Sequence, residues 1–269
     1  MDAVNPDLVR VFDLDPELVD DLDSQTATHL RHRMVARRLW LERGTWEPRF
    51  DERECRSHLG LLVLDGLLVR TMRLAGRECS EVVGPGDLIR PWDSDDGGSV
   101  ECVSQWRVLQ PAVCANLDAA FAARIARWPG INAALLRRST RRARSLVYQA
   151  TIAHVRHAET RILLLLWQLA DRWGRVTPDG VLVPAPLTHQ LLAQLTCLQR
   201  PTVSGALSRL AEAGELTRVP GGGGWMLHGE PPADCEGGTP AWRARAAARE
   251  QDRERRIIRS PDRDLVPAA

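Results

Sequence analysis

The chain has 269 residues, a formal net charge of +1 and 44% hydrophobic residues, which is enough for two small globular domains and a tail. The near-zero net charge neither favours nor excludes nucleic acid, so any basic surface must be local. The longest apolar run, residues 162–167, is too short to span a membrane, and the acidic N-terminus does not resemble a signal peptide. We therefore expect a cytoplasmic protein without membrane contact.

Residues 1–35 are predicted to form an N-terminal helical segment. Leu14, Leu18 and Leu22 recur there every four residues, which is the spacing of an amphipathic helix. We expect this helix to pack on the domain that follows it.

Residues 36–116 contain short apolar runs separated by turns, which is the pattern of a β-sandwich or jelly roll. Asp65-Gly66 is a strong tight-turn dipeptide and predicts the end of one strand. Residues 106–109 and 112–115 predict two further short strands. The fold class expected for the whole chain is α+β, with a β-roll at the N-terminal side.

Residues 117–174 predict a hinge and a long helix. A first helix from about Asn116 should end at Pro129-Gly130, and a second should run without interruption from Ile131 to Trp173. Small and apolar residues of the second helix keep alternating three- and four-residue spacing, a heptad seam that predicts a parallel coiled-coil homodimer. The residues assigned to the dimer contact are Leu136, Ala143, Leu146, Ala150, Ala153 and His157.

Alternatives stay open for this helix. Its seam can also pack against the β-roll of the same chain, and both uses can coexist along so long a helix. The arginines from Arg137 to Arg144 lie mostly outside the seam and predict a solvated charged face, with an acidic partner as the alternative. His154 and His157 lie about one turn apart and could hold a metal ion or a haem, but without a third ligand nearby they are better interpreted as interface residues.

Residues 175–229 predict two short helices joined by a tight turn. The first runs from Thr188, whose hydroxyl can cap the opening amides, to about Leu195. The second begins at Gln199 or Arg200 and tolerates Pro201 in its first turn. Its apolar residues at helical spacing predict a buried face made of Val203, Ala206, Leu207 and Leu210.

The residues after these helices predict a wing. Gly214 is a typical C′ residue for the second helix, and residues 216–219 and 225–228 predict two strands around a glycine turn. The whole pattern indicates a winged helix-turn-helix that enters the DNA major groove, whereas an ordinary helical hairpin in a core is the alternative. The residues predicted to contact DNA are Gln199, Arg200, Thr202, Ser204, Arg209 and Arg218.

This segment resembles the Crp/Fnr family of bacterial transcription regulators. The resemblance rests on Leu187-Thr188, Gln190, Leu192-Ala193-Gln194-Leu195, Arg200, Thr202-Val203-Ser204, Leu207, Leu210 and Gly214. It implies a cyclic-nucleotide-binding-like β-roll, dimerisation through the long helix, a double-stranded DNA operator with an inverted repeat, and RNA polymerase as a further partner. Pro201 and Gly205 stand where the family has a Glu and a second Arg that read bases, so the docking geometry carries over and the usual target sequence does not.

The sequence argues against cyclic-nucleotide binding. Family members that bind these ligands carry an Arg and a hydroxyl for the cyclic phosphate between the two halves of the roll. Residues 92–105 of this chain contain no Arg, and their acidic side chains would repel an anion. Gly97-Gly98-Ser99 could still offer amides as an anion nest, and the acidic loop could hold Ca²⁺, but a solvated acidic turn is the favoured interpretation.

No cofactor or metal is expected. The cysteines lack any Cys-x-x-Cys spacing, which favours reduced thiols over a disulfide framework; they are Cys55, Cys79, Cys102, Cys114, Cys197 and Cys235. Residues 230–269 predict a flexible Arg-rich tail that adds nonspecific phosphate contacts. The function expected is a homodimeric DNA-binding transcription regulator, with a sensory or adaptor module whose winged helix binds a protein as the alternative. No catalytic motif rises above chance, so an enzyme is not expected.

Overall fold

The structure, a computed structural model of the chain, describes residues 7–93 and 100–232. These residues have the expected α+β composition and form two compact units. The roll unit comprises the described part of residues 1–154 together with Thr188–Arg200. The wing unit comprises Val155–Leu187 and the described residues from Pro201 onward. Within these described ranges, no helix combines the length and the apolar composition needed to cross a membrane.

The roll unit is built on one antiparallel sheet. Its strands are β1 (Leu8–Arg10), β2 (Val35–Leu41), β3 (Gly44–Trp46), β4 (Gly60–Leu74), β5 (Arg77–Val83), β6 (Leu88–Ile89) and β7 (Cys102–Leu117). The strand order is β1-β2-β7-β4-β5, with β3 also paired to β7 and β6 to β4. The helices of this unit are α1 (Val11–Leu14), α2 (Ser24–Arg33), α3 (Glu52–Cys55), α4 (Ala119–Ile125), α5 (Pro129–His154) and α7 (His189–Thr196).

Two long strands replace the shorter ones expected from the sequence. The prediction that Asp65-Gly66 ends a strand is wrong, because β4 continues through both residues and pairs with β7 across several register shifts. Gly66 has φ +83°, and a Cβ there would lie 2.2 Å from the Pro111 carbonyl oxygen. The glycine is therefore needed for an irregularity inside the strand, where the partner backbone approaches closely.

The N-terminal segment contains a strand as well as helices. β1 pairs with β2 and so joins the sheet, although residues 1–35 were expected to be helical. The leucines at four-residue spacing lie around a short 3-10 helix, Pro16–Val19, and the longer helix is α2, whose first turn is capped by the Asp23 carboxylate.

The long helix is interrupted. Pro129 does not end a helix but begins α5, since the first turn leaves its nitrogen without an intrahelical role. α5 ends at His154, and α6 (Ala158–Trp173) begins after His157, whose backbone is extended. The Arg161 side chain donates to the Val155 carbonyl oxygen in this break. A continuous helix over 131–173 is therefore wrong, and no Pro or Gly in residues 155–157 marks the interruption.

Two apolar cores hold the roll unit together. One joins the N-terminal helices, α4 and the start of α5 to the sheet, and it places the rings of Phe12 and Phe121 edge to face at 6.4 Å. The other lies within the roll and contains Trp92 and Trp106, with Trp46 packed edge to face on Trp106 at 5.8 Å.

The wing unit combines α6 and most of α8 (Arg200–Glu212) with a second sheet. Its strands are β8 (Arg175–Thr177), β9 (Gly180–Val183), β10 (Leu216–Val219) and β11 (Gly224–Leu227), in the order β10-β11-β9-β8. The wing strands β10 and β11 thus belong to a four-stranded sheet. Its other two strands, β8 and β9, form a hairpin that precedes α7 and α8 in the chain. Gly97-Gly98-Ser99, the alternative anion nest in the expected acidic turn, and the tail beyond residue 232 lie outside the described residues.

Candidate DNA-binding surface

α7 forms where the sequence predicts it. The hydroxyl oxygen of its N-cap, Thr188, accepts a hydrogen bond from the Leu191 amide at 3.2 Å. Leu191, Leu192 and Leu195 are buried, as their spacing indicated. Capping and an apolar face are both local properties of the sequence, which is why this helix could be placed correctly.

The turn after α7 holds a cysteine in a conformation that favours glycine. Cys197 has φ +54° and ψ +34°, and the Leu198 amide donates to the Ala193 carbonyl oxygen at 3.0 Å. A left-handed conformation costs a residue with a Cβ about 1–2 kcal/mol. The tight turn is therefore formed against the intrinsic preference of Cys197.

α8 presents a polar face, as predicted. It buries Val203, Ala206, Leu207 and Leu210. Arg200 is its first residue and is exposed, Gln199 precedes it in the turn, and Thr202, two residues after Arg200, is also exposed. Ser204 is half-buried, and its carbonyl oxygen accepts from the Ser208 hydroxyl at 3.2 Å.

The C-terminal end of α8 is fixed by a Schellman motif. The Glu215 amide donates to the Leu210 carbonyl oxygen at 3.0 Å, and the Gly214 amide donates to that of Ala211 at 3.1 Å. Gly214 has φ +73°, so the predicted glycine stop is confirmed. The chain can therefore turn directly from α8 into β10.

Arg209 lies in an ion pair that the sequence did not reveal. Its Nε lies 2.5 Å from Glu159 Oε1 at the start of α6. The Glu159 backbone amide, and after it Arg209, hold the pKa of the Glu159 carboxyl below its usual value. No signal in the sequence indicated this pair, because the helix start at Ala158 was not predicted. The positive charge of Arg209 is therefore opposed by a neighbouring carboxylate.

The wing presents one cation. Arg218 on β10 is exposed and lies opposite Trp225 of β11, with its guanidinium carbon 5.8 Å from the indole ring centroid. The Trp225 indole nitrogen donates to the Leu187 carbonyl oxygen at 3.3 Å. A Cβ at Gly224, where φ is +139°, would lie 2.1 Å from the Val183 carbonyl oxygen, so close strand packing requires this glycine.

The predicted DNA contacts thus fall into three groups. Gln199, Arg200, Thr202 and Ser204 follow one another at the start of α8, Arg209 lies two turns further on beside Glu159, and Arg218 lies on the wing. The sequence found each element but could not anticipate the carboxylate partner of Arg209.

The residues assigned to dimerisation lie on α5, with one exception. Leu136, Ala143, Leu146 and Ala150 are exposed, and Ala153 is half-buried near the helix end. His157 does not belong to this helix, because it lies beyond the break as the cap of α6. Among residues 7–93 and 100–232, no cluster of three or more His, Cys, Asp or Glu side chains is arranged to hold a metal ion.

Comparison with known proteins agrees with this architecture. Residues 160–228 match the family of Crp-like helix-turn-helix domains. The comparison with curated proteins gives no match. A cyclic nucleotide-binding domain containing protein from Listeria monocytogenes EGD-e has a similar structure, with a TM-score of 0.58, 16% identity, and coverage of 80% of this chain and 97% of the other.

Two further solved structures share the fold. FixK2 from Bradyrhizobium japonicum has a TM-score of 0.54 and 16% identity over 72% of this chain and 93% of its own. A mutant of CooA from Carboxydothermus hydrogenoformans has a TM-score of 0.52 and 18% identity over 71% of this chain and 83% of its own. The fold defines a winged helix-turn-helix protein with a cyclic-nucleotide-binding-like roll. Residues 160–228 are thus similar to Crp-like helix-turn-helix domains, and the described chain shares its fold with these solved structures.

Proposed function

We propose that the chain is a homodimeric transcription regulator in which the start of α8 and the wing contact double-stranded DNA. The Crp-like helix-turn-helix match over residues 160–228 is the observation that carries this proposal. The exposed polar start of α8 supports it, since short hydroxyl side chains and an arginine suit phosphates and base edges in the major groove.

Arg200 reads a base in this proposal. It opens α8 and is exposed, and arginine paired with guanine is the commonest specific contact in the major groove. Gln199, Thr202 and Ser204 contact phosphates or base edges, and Arg218 contacts the flanking backbone. Arg209 contributes less than its charge suggests, because Glu159 opposes it.

The dimer forms through the outer face of α5. Leu136 and Val147 each keep 68% of their surface exposed, and Leu146 keeps 42%. A second copy of the chain is the occupant we assign, because Leu136, Ser139, Ala143, Leu146 and Ala150 keep heptad spacing and none is charged. Two identical stripes of this kind can meet about a two-fold axis.

A two-fold dimer predicts an operator of matching symmetry. Two winged helices related in this way read inverted half-sites about one helical turn apart. This role implies RNA polymerase as a further partner. It also implies that the protein acts in the cytoplasm.

The roll acts without a cyclic nucleotide. Arg90, which precedes the interval where the family holds the cyclic phosphate, has its Nε 2.5 Å from Asp93 Oδ2. Its guanidinium carbon also lies 5.4 Å from the ring centroid of the buried Trp92. Both interactions withdraw this charge from an incoming phosphate. Calorimetry with cyclic AMP and cyclic GMP should show no binding at micromolar concentration, and such binding would overturn this part of the proposal.

The direct test is equilibrium binding to fragments of the chain's own upstream region in the presence of excess nonspecific duplex. Arg200→Ala should weaken binding by about 1–3 kcal/mol and relax one position of the site. Arg107→Ala is the control, because Arg107 is also exposed but lies on β7. Equal binding by wild type and Arg200→Ala, abolished for both by salt, would contradict a sequence-reading role for α8.

Glu159 offers a second test. Glu159→Gln removes the carboxylate beside Arg209 and should strengthen binding to all duplexes, with a steeper salt dependence, since one more cation reaches a phosphate. Glu159→Gln combined with Arg209→Ala should abolish this gain. An unchanged salt slope for the single variant would show that Arg209 has no access to DNA.

A further inference from the structure

Two cysteines far apart in sequence meet in the roll unit. Cys79 lies on β5, and Cys197 lies in the turn that follows α7; both are exposed. The Cys197 side chain is close enough to Cys79 to be among the groups that raise the pKa of the Cys79 thiol. Cys55 and Cys114, in contrast, are buried. Cys79 and Cys197 therefore form a pair that is accessible from solvent.

The contact between α7 and β5 is specific around this pair. The Gln194 side chain donates to Glu78 Oε2 at 2.7 Å and accepts from the Ser80 hydroxyl at 3.3 Å. From α5, the Gln149 side chain donates to the carbonyl oxygens of Ser80 and Leu195 at 2.7 and 2.8 Å. These hydrogen bonds hold α7 on β5 and bring together the two segments that carry Cys79 and Cys197.

We propose that Cys79 and Cys197 form a reversible disulfide when a hydroperoxide oxidises the chain, and that this bond fixes α7 on β5 and weakens DNA binding. The consequence for DNA rests on the proposed function, whereas bond formation does not. A glycine would suit the left-handed conformation of residue 197 better than a cysteine, because the Cβ makes this conformation unfavourable.

The chemistry is a two-step thiol oxidation. The Cys197 thiolate attacks the O–O bond of the peroxide, which forms an S–O bond and releases hydroxide, and hydroxide takes up a proton to become water. The Cys79 sulfur then attacks the Cys197 sulfur, so that the S–S bond forms, the S–O bond breaks and a second water leaves. Two thiols lose two electrons and two protons in total, and hydrogen peroxide is reduced to two waters. A dithiol reductant reverses the bond by exchange.

Cys197 is the attacking thiol and Cys79 the resolving one. Partial burial, and after it the neighbouring Cys197 and Glu81, raise the pKa of Cys79 to about 11. Cys79 is therefore protonated at neutral pH and slow to attack a peroxide. Its position beside Cys197 makes it the nearest group once Cys197 has been oxidised.

The bond would act on the DNA-binding surface through chain connectivity. Gln199 and Arg200 follow Cys197 by two and three residues. A covalent link between Cys197 and β5 therefore restrains the first residues of α8.

The first readout is the bond itself. The purified full chain is treated with hydrogen peroxide, blocked with a thiol reagent and mapped by mass spectrometry. We expect a peptide pair joined through Cys79 and Cys197, lighter by two hydrogen atoms and restored by a dithiol. Cys102→Ser, which removes a half-exposed thiol of β7, should behave as wild type. Absence of this peptide pair, or pairing of either cysteine with Cys102, would overturn the proposal.

The second readout is the restraint on α7. Oxidation should slow amide hydrogen exchange over residues 189–198 in wild type but not in Cys79→Ser or Cys197→Gly. The glycine variant suits the backbone at residue 197 and so should fold. Exchange that oxidation leaves unchanged in wild type would contradict the fixation of α7.

The third readout is DNA affinity. Peroxide should weaken operator binding by about tenfold, within the usual range of coupling between sites, and the two cysteine variants should not respond. Unchanged affinity of a chain shown to carry the disulfide would overturn the link to DNA. If the reduced chain binds no DNA, the proposed function fails, and the disulfide and the restraint are still decided by the first two readouts.

Discussion

The two faces of α5 differ in chemistry and in what they contact. The inner face packs on the roll and carries polar residues among apolar ones; along the helix it consists of Ile131, Leu135, Arg138, Arg142, Gln149 and Ile152. The outer face is exposed and consists of small or apolar residues; it includes Leu136, Ala143, Leu146, Val147 and Ala150.

The two faces of α5 show that helical periodicity in a sequence can identify an apolar face. It cannot identify which residues a polar face will contact. Arg138 is buried, with Nη2 2.5 Å from Asp15 Oδ1 and 3.0 Å from Glu17 Oε2. Arg142 Nη2 lies 2.5 Å from Glu81 Oε1. The expectation of a solvated arginine face is therefore wrong for these two residues. Their acidic partners lie far away in sequence, so only the fold brings them together.

Among the substitutions on the two faces of α5, Arg138→Ala should reduce the stability of the chain the most. Removing the buried guanidinium leaves the Asp15 carboxyl without its cation and should lower the free energy of unfolding by about 3–5 kcal/mol. The measurement is urea denaturation at a fixed protein concentration. The matched control is Arg137→Ala, because Arg137 pairs with Asp21 at the surface, where the expected loss is about 0–1 kcal/mol. If both variants lose a similar free energy of unfolding, the buried ion pair of Arg138 is no more stabilising than the surface pair of Arg137.

Leu146→Glu tests the outer face. Placing a carboxylate in the proposed seam should raise the dimer dissociation constant by at least about a hundredfold, since an unpaired charge must be desolvated on association. Sedimentation equilibrium measures this constant. Tyr148→Glu serves as the comparison, because Tyr148 is equally exposed, 42%, but points away from the seam. Dissociation by the Tyr148 variant alone would place the interface elsewhere on α5.

Gln149→Leu tests the polar contact of the inner face with α7. The substitution deprives the Ser80 and Leu195 carbonyl oxygens of a donor and should cost about 1–3 kcal/mol of stability. Hydrogen exchange over residues 189–196 should accelerate along with this loss. Gln190→Leu, at an exposed position of α7, should leave the exchange rates unchanged. Equal acceleration in both variants would argue against a specific role for Gln149.

The smallest expected effect concerns pH. Burial raises the pKa of Asp15 above its ordinary 3.8, and Arg138 opposes this rise without cancelling it. The folded chain therefore binds this proton more tightly than the unfolded chain, a contribution that is complete below pH 3.8 and is lost as the pH rises through the folded pKa. Wild type should lose stability relative to Asp15→Asn over this window. If the stability of wild type relative to Asp15→Asn stays constant or increases as the pH rises, the raised pKa of Asp15 is contradicted.

Local signals explain what could be predicted from the sequence. The cap at Thr188, the apolar faces of α7 and α8, and the Gly214 stop depend on neighbouring residues, and all are confirmed. The continuation of β4 through Asp65-Gly66 depends on β7, which approaches Gly66 from more than forty positions along the chain. The same holds for Glu159 beside Arg209 and for the polar contacts of α7 with β5. Pairings of this kind arise only from the folded topology.

The most direct test of the central proposal is selection of duplexes by the purified chain from a randomised library, followed by hydroxyl-radical footprinting and sedimentation of the complex. We expect an inverted repeat with half-sites about one helical turn apart, bound by two chains. Arg200→Ala should relax one position in each half-site. Enrichment of a single asymmetric site bound by one chain, or no enrichment at all, would contradict it.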